Sequence, residues 1–471
     1  MQKPDLKQAA KRTKAGTVTD YSAADYPAEL LSLGKGKTYY IRTYGCQANF
    51  HDSELLAGIL EKTGFTKGEF ETADVVLLNT CAIRENAEDK VYGEIGILKH
   101  EKEMGRKVLV GIGGCMVQQP SIVEKIRNTW PMVDLIYGTH NLVEIPYLLK
   151  EAMNKDKTVI EVLSIEGKIF ENVPFKRDDD YKAWVSIMDG CDKFCTYCIV
   201  PFTRGKQRSR TIDNIVNEVF DLKEKGYKEV CLLGQNVNAF GKDSGNNEAF
   251  ADLLEKTART GIERIRFMTS HPWDFVDKTI EVIHNYPNIM PYFHLPVQSG
   301  SDTVLKKMNR RYNIAEYKSL FDKLKSARKD CAISTDIIVG FPYETEEDFN
   351  KTLELYDYCK FDSAFTFAYS PRTGTPAASY KDQIEESVKL DRLKRLNQSV
   401  SKYGLMHNQE YINKTVKVLC DGPSKKNENI YSGYSETNKL VNFIPKNASK
   451  GDIVEVEITD AKSWTLDGKQ V

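Results

Sequence analysis

From Lys37 onward the apolar residues fall into short blocks, and the stretches between them repeat with helical spacing. KTYYIRTYG (37–45), ADVVLLNT (73–80), KVLVGIGG (107–114) and VDLIYG (133–138) read as strands. DSELLAGILEKTGF, the charged region from Arg84 to Lys102, and SIVEKIRN carry the helical period between them. Strands alternating with helices predict an α/β unit built on a parallel sheet, over residues 35–150. A second series begins at KAWVSIMDG and continues through EVCLLG, RIRFMTS, YFHLPV, AISTDIIVG and SAFTFAYS, again with helical stretches between. Six such units predict a curved, open (β/α)6 barrel over 181–410, with its chemistry at the C-terminal ends of the strands. A Lys- and Arg-rich helix from Gln383 to Gln409 closes it. Beyond that helix TVKVLCDG, IYSGYSE, KLVNFIP and DIVEVEITDA are strand-like, and four or five short strands with Gly, Asn and Asp turns predict a small all-β barrel over 411–471.

Two stretches lack either period. Residues 1–34 are polar, with Lys7, Lys11, Arg12 and Lys14, and are expected to form a flexible tail. Residues 151–180, containing KIFENVPFKRDDDY, are expected to be a linker.

Composition narrows the class. The 471 residues are 41% hydrophobic and 28% charged, as in ordinary soluble proteins, and the formal net charge of −1 supplies no global attraction to a polyanion. No apolar run is long enough to span a bilayer and no signal-like segment opens the chain, so a reducing cytoplasmic compartment without membrane contact is expected. Ten cysteines in such a compartment point to ligation rather than disulfides.

The chemistry concentrates in GCDKFCTYC, where Cys191, Cys195 and Cys198 stand three and then two residues apart. Thiolates on one tight loop suit an iron–sulfur cluster, and a triad without a nearby fourth cysteine leaves one iron open to a small molecule. A zinc loop completed from elsewhere, or three buried cysteines, are the competing readings. Cys46, Cys81 and Cys115 each follow a predicted strand, and in a parallel sheet those ends share one edge, where ligands bind. Three equivalent positions predict a second metal set. Cys231, Cys331, Cys359 and Cys420 lie in or beside apolar runs and are expected to be core residues.

The triad resembles the signature of the radical S-adenosylmethionine enzymes, and Tyr197 before its last cysteine strengthens the match. That resemblance implies an S-adenosylmethionine bound at the open iron and split to a radical. Candidates for holding it are Tyr197, the strand-end residues Gln235 and Asn236 after Gly234, Ser270 between Thr269 and His271, and Gln298 before Ser299 and Gly300, and Asp336 within the fifth strand, ahead of Gly340 and Glu344. Arg311, or its neighbour Arg310, is a candidate for the carboxylate. Polar loop residues more often cap helices, and His271 before a proline suits a turn. Four cations follow the triad, Arg204, Lys206, Arg208 and Arg210, and are candidates for RNA phosphates, a solvated or internally paired loop being the alternative. In the C-terminal barrel Tyr431, Tyr434, Asn438, Lys439 and Phe443 are candidates for a single-strand surface.

Taken together, TYGCQANFHDSE, NTCAIRENAE, GCMVQ, GCDKFCTYCIVPFTRGKQRSR, LLGQNVNAF, FHLPVQSGSDTVLKKMNR and YSPRTGTPAA resemble the methylthiotransferase family from about residue 37 to the end, with Ala48 and Thr373 as small departures. The resemblance implies two [4Fe–4S] clusters, a radical one on Cys191, Cys195 and Cys198 and an auxiliary one on Cys46, Cys81 and Cys115, and a TRAM domain at the C-terminus. FCTYCIVPFTRGKQRSR and GQNVNAF resemble members that methylthiolate C2 of N6-isopentenyladenosine beside the tRNA anticodon, with S-adenosylmethionine as both methyl donor and radical source. The aromatic C2–H is not acidic, so a radical rather than a base is needed. An electron donor and a sulfur source of unnamed identity are implied as partners, with the chain acting as a monomer. The same chemistry on threonylcarbamoyladenosine or a ribosomal-protein aspartate, a zinc-containing RNA-binding protein, and a plain electron carrier are the alternatives.

Overall fold

The computed structural model describes residues 20–22, 25–82, 85–155, 157–162, 168–171, 173–425 and 427–471. The basic cluster Lys7 to Lys14 and Arg84 lie outside them.

The first unit is a six-stranded parallel sheet. Its strands are β1 (Thr38–Thr43), β2 (Val75–Thr80), β3 (Leu109–Gly114), β4 (Leu135–Tyr137) and β5 (Val159–Glu161), with the two-residue strand Thr66–Lys67 beside β1 at one edge. Every residue of β2 is buried because helices cover both faces, which is why that strand reads as a continuous apolar run. Helix α1 (Gln47–Lys62) packs Leu56, Ile59 and Leu60 on one face, and α2 (Glu85–Glu103) packs Val91, Ile95 and Leu98 on the other.

Two segments expected to lack structure are ordered. Asp20–Ser22 pairs in parallel with Lys168–Phe170, and β5 lies inside the expected linker as the far edge of the sheet. A three-residue strand is too short to show a period, so its partner rather than its own pattern makes it a strand.

The second unit holds β6 (Lys182–Ser186), β7 (Glu229–Leu233), β8 (Arg264–Phe267), β9 (Tyr292–His294), β10 (Ala332–Val339) and β11 (Ser363–Ala368), all parallel. They form two three-stranded sheets, β8-β7-β6 and β9-β10-β11, joined by a parallel bridge between Ile265 and Ile289. The curve is therefore open, with β6 and β11 at its edges. Cys331 and Cys359 belong to its outer apolar core, as expected, and Cys231 is buried in β7.

The third unit is a closed five-stranded barrel of β12 (Thr415–Ser424), β13 (Asn427–Ser435), β14 (Leu440–Ile444), β15 (Ile453–Ala461) and β16 (Thr465–Gln470), with Cys420 in its core. It seats on the start of the open barrel through arginines. Arg264 donates to the carbonyls of Lys417 and Tyr434, and Arg266 to those of Ser435 and Glu436. Among the described residues no helix is long and apolar enough to cross a membrane.

Candidate cluster centre and nucleoside site

The loops after β1, β2 and β3 carry Cys46, Cys81 and Cys115 to one edge of the first sheet. Gly45 makes the approach possible: its φ is +119°, and a Cβ there would stand 2.4 Å from Cys81 Cβ. Asn49, fully buried at the start of α1, ties the loops together. Its Nδ2 donates to the carbonyls of Tyr44 and Thr80, and its Oδ1 faces the thiols of Cys46 and Cys115, each at 3.9 Å. A hydrogen bond with the Cys81 thiol, aided by the Arg204 charge and opposed by burial, draws the Cys46 thiol down to about 5. Burial pushes the Cys115 thiol up.

The second set stands on a loop that leaves the short strand Met188–Asp189 and returns as Arg208–Ser209. Gly190 opens it with φ +76°, and a Cβ there would fall 2.1 Å from the Lys206 carbonyl oxygen. Phe194 also adopts a left-handed conformation, and strain of this kind persists where surroundings over-determine it. Those surroundings are the segment 307–310. Thr196 donates to the carbonyls of Lys307 and Met308, Asn309 Nδ2 donates to the Phe194 carbonyl, and Arg310 Nη1 lies 3.4 Å from Cys195 Sγ. Burial and the neighbouring thiols raise Cys198 to about 12 and push Cys191 up as well.

Crowded, buried thiols resist ionising together, and a cationic iron core is the counter-charge that reverses this. All ten cysteines are free thiols. Among the described residues no three His, Cys, Asp or Glu side chains close into a single-ion cage. A cubane cluster takes each thiolate on a different iron and so holds its ligands further apart than one zinc ion does. Three free thiols brought together at each of two loops are a donor set that fits iron–sulfur ligation.

Behind the triad, the strand ends carry buried polar atoms in need of a partner. Among the described residues Gln235 Oε1, Asn236 Oδ1, Asn238 Nδ2 and Ser270 Oγ have no hydrogen-bond partner. Natural interiors rarely leave such groups unpaired, so four at one rim fit a polar nucleoside with donors and acceptors of its own. Thr269 and Gln298, at the ends of β8 and β9, have φ of +63° and +72°. His271 accepts from the Trp273 N–H, the turn role expected beside a proline, and burial keeps its ring neutral by lowering its pKa. Glu344 accepts from Gly340 N–H and pairs with Arg392, while burial lifts its carboxyl to about 7.

Several expectations need correction. Arg311 is exposed and lies over the Trp273 ring at 5.0 Å, whereas Arg310 is the arginine that reaches the triad. Asp336, by contrast, lies within its strand β10 as expected, 3.3 Å from His294 Nε2. The basic patch is largely internal: Arg204 pairs with Asp52, Arg208 is 4% exposed, and Arg210 pairs with Glu218, leaving Lys206 half-buried. Charge spacing alone cannot distinguish a solvated patch from a buried network in which Arg204 finds its partner on the helix Gln47–Lys62. In the C-terminal barrel Phe443 is core, Lys439 pairs with Asp362 at 3.2 Å in a buried seam, and the turn residue Asn438 reaches Tyr292. Tyr431 is half-buried against Phe443, whereas Tyr434 is exposed, as is Trp464, which has no motif around it.

The sequence reading also missed Asp274. It holds Lys193, Lys242 and Asn236 Nδ2 together beside the triad, and although burial opposes its ionisation, the two lysines keep it below the usual carboxylate range. Only Lys193, inside the triad motif, offered a signal.

The loops that carry the two cysteine sets meet. Ile199, next to Cys198, packs in one buried cluster with Cys115 and Ala82, with Phe202 against it. Thr139 Oγ1 donates to the Thr203 carbonyl at 2.7 Å, and Arg204 crosses to Asp52 and Asn49. Beside this contact an interunit cleft of about 850 Å³ is lined by His51, His140, Arg177, Arg208 and Glu218 among others.

Comparison with known proteins follows the same three units. Residues 38–138 match the uncharacterised protein family UPF0004, residues 185–356 the radical SAM superfamily, and residues 409–471 the TRAM domain. The chain is 51% identical over 472 residues to the tRNA-2-methylthio-N(6)-dimethylallyladenosine synthase of Bacillus cytotoxicus, covering 100% of this chain and 92% of that protein. It is 51% identical over 471 residues to the enzyme of the same name from Staphylococcus haemolyticus, covering 99% and 91%. Among solved structures, the radical S-adenosylmethionine methyltransferase TsrM from Kitasatospora setae, with cobalamin and a [4Fe-4S] cluster bound, superposes with a TM-score of 0.55 at 13% identity, over 73% of this chain and 74% of that one. The cobalamin-dependent enzyme OxsB gives 0.50 at 12% identity, over 79% and 56%. At such identities the likeness is one of fold.

Proposed function

The chain belongs to the methylthiotransferase family of radical S-adenosylmethionine enzymes represented by the tRNA-2-methylthio-N(6)-dimethylallyladenosine synthases, and from that premise we propose that it adds a methylthio group to C2 of N6-isopentenyladenosine, the same dimethylallyl nucleoside, beside the tRNA anticodon. It uses iron–sulfur chemistry and S-adenosylmethionine. Those groups supply hydrogen abstraction from an aromatic C–H and a methyl group, which no side chain here can supply.

The protein's part is to hold and orient. Cys191, Cys195 and Cys198 would ligate one cluster and Cys46, Cys81 and Cys115 a second. Arg310 sets its guanidinium beside Cys195, where a cation offsets thiolate charge. Gln235, Asn236, Asn238 and Ser270 would pair with the polar edges of S-adenosylmethionine, and Tyr197 packs the triad loop against Phe341. Ile199, Phe202 and Ala82 form a dry contact between the two cysteine sets, which brings a sulfur held on one side within reach of a base activated on the other. The exposed Tyr434 and Trp464 and the half-buried Lys206 would contact the RNA, with the target base drawn out of its stack.

The observation that supports this reading is the packing of Ile199, the neighbour of Cys198, in one buried cluster with Cys115. Nucleoside mass spectrometry of tRNA from a strain lacking the gene tests it. Loss of the 2-methylthio-isopentenyl nucleoside, restored by the wild-type chain but not by Cys198→Ala, is expected. Loss of the 2-methylthio-threonylcarbamoyl nucleoside instead would move the reading to that substrate.

A further inference from the structure

Part of the inner wall of the open barrel is polar. Tyr292 and His294 of β9 share that wall with Ser334 and Asp336 of β10, as their contacts show: Ser334 Oγ bonds both Tyr292 and the His294 ring, and His294 Nε2 faces Asp336. The register sets Phe365 beside Asp336 and Phe367 beside Ile338. Phe365 meets the His294 ring edge-on at 5.9 Å, which puts both phenylalanines on the inner face. Thr366 between them points the other way and bonds Asn397 of the helix Glu386–Gln409 that covers β11 outside. Among the described residues the two rings are 49% and 46% exposed, although they stand within the barrel.

We propose that Phe365 and Phe367 form an aromatic wall that receives the dimethylallyl chain and purine face of the target nucleoside. This rests on the function proposed above and specifies how that substrate is chosen. Two observations select the occupant. The first is position: Ile338, the register partner of Phe367, packs in one cluster with Tyr197, inside the cysteine triad, so the wall adjoins the reactive centre. The second is chemistry. A branched five-carbon alkene has no hydrogen-bonding group, so the polar groups of Tyr292, His294, Ser334 and Asp336 offer it nothing, whereas two adjacent phenyl rings give it apolar contact and give the base a stacking face. S-adenosylmethionine does not suit this wall, since its charged and hydroxyl groups match the polar strand ends of Gln235, Asn236 and Ser270. β11 is also an edge strand, so a base swung out of an anticodon loop can reach these rings from the open side of the barrel without crossing a closed sheet.

The test uses the full chain with its iron reconstituted anaerobically and two anticodon stem-loops, one with N6-dimethylallyladenosine and one with adenosine at the target. The readout is the ratio of their dissociation constants, alongside methylthio transfer to the prenylated loop. Wild-type protein is expected to prefer the prenylated loop by about tenfold or more, tenfold being about the least that even one methylene gained in an apolar pocket supplies. F365A/F367A is expected to bring the ratio to within about twofold of unity. F367Q, at a ring too exposed to be needed by the core, is expected to reduce it as well. Retention of the full preference by both variants, at wild-type iron content, overturns the wall while leaving the methylthiotransferase reading intact. Wild-type protein that transfers nothing to the prenylated loop defeats that reading instead, and the wall with it.

Discussion

Arg204 stands in the triad's own loop yet spends its charge on the first unit, and Arg204→Met asks what that contact is worth. The guanidinium donates to Asp52 at 2.5 Å and to Asn49 Oδ1 at 3.3 Å, and it also lies 3.5 Å from Asp189. Both partners of the main pair are nearly sequestered, with side chains 7% and 10% exposed. Burial already lifts the Asp52 carboxyl to about 6 against the pull of Arg204. Methionine preserves much of the side-chain volume and removes the charge, leaving a buried carboxylate without its partner at a cost of about 3–5 kcal/mol. Asp52→Asn alone strands the arginine instead, and the double variant strands neither. The cycle should therefore show a coupling of about 2–3 kcal/mol, well above the 0.5 kcal/mol expected of independent sites. The assay is anaerobic urea unfolding of the iron-loaded chain, reading the transition in which the first two units separate. Additive variants, or a loss below about 1 kcal/mol for R204M, would refute the pin. If Arg204 instead served RNA phosphates, R204M would leave stability alone and reduce the salt dependence of RNA binding by about one counterion.

Three further outcomes follow from the same geometry. Gly45→Ala should empty the set at Cys46, Cys81 and Cys115, and Gly190→Ala the triad, because each added Cβ meets fixed atoms at 2.4 Å and 2.1 Å; iron analysis and the spectra of the remaining cluster distinguish them. Reconstituted wild-type protein should bind about eight irons per chain, and replacing all three cysteines of either set by alanine should leave about four; an unchanged count would exclude a cluster at that set. Burial lowers His140 to about 3, so the unfolded chain binds its proton first, and the His140 contribution to stability, complete above pH 6.5, is lost as pH falls toward 3. Thermal midpoints at pH 7.5 and 5.5 should drop less for His140→Gln than for wild type, and equal drops would contradict this.

Periodicity made the α/β units and the final barrel legible because every long strand lies fully within one layer and carries that layer's pattern. β2 is buried on both faces and reads as an unbroken apolar run, while β6 and β15 show alternation. The short paired strand Asp20–Ser22 was not legible, since its stability comes from a partner almost 150 residues away. The six cysteines proposed as ligands stood out for a different reason. Ligation chemistry restricts residue type and local spacing, and strand ends in a parallel sheet converge wherever the chain makes them.

What the sequence by itself determined, then, is the inventory: three units, two thiol sets and a rim of strand-end amides and hydroxyls. What only the tertiary structure decided is which groups are already spent on one another. Arg204, Lys439 and Asp274 look alike in sequence to any solvated charge, yet each is held by a partner from another segment. Phe365 and Phe367 look like core residues of a strand but stand open on the inner face. Burial and pairing depend on the distance between residues remote in sequence, and local composition carries no record of that distance.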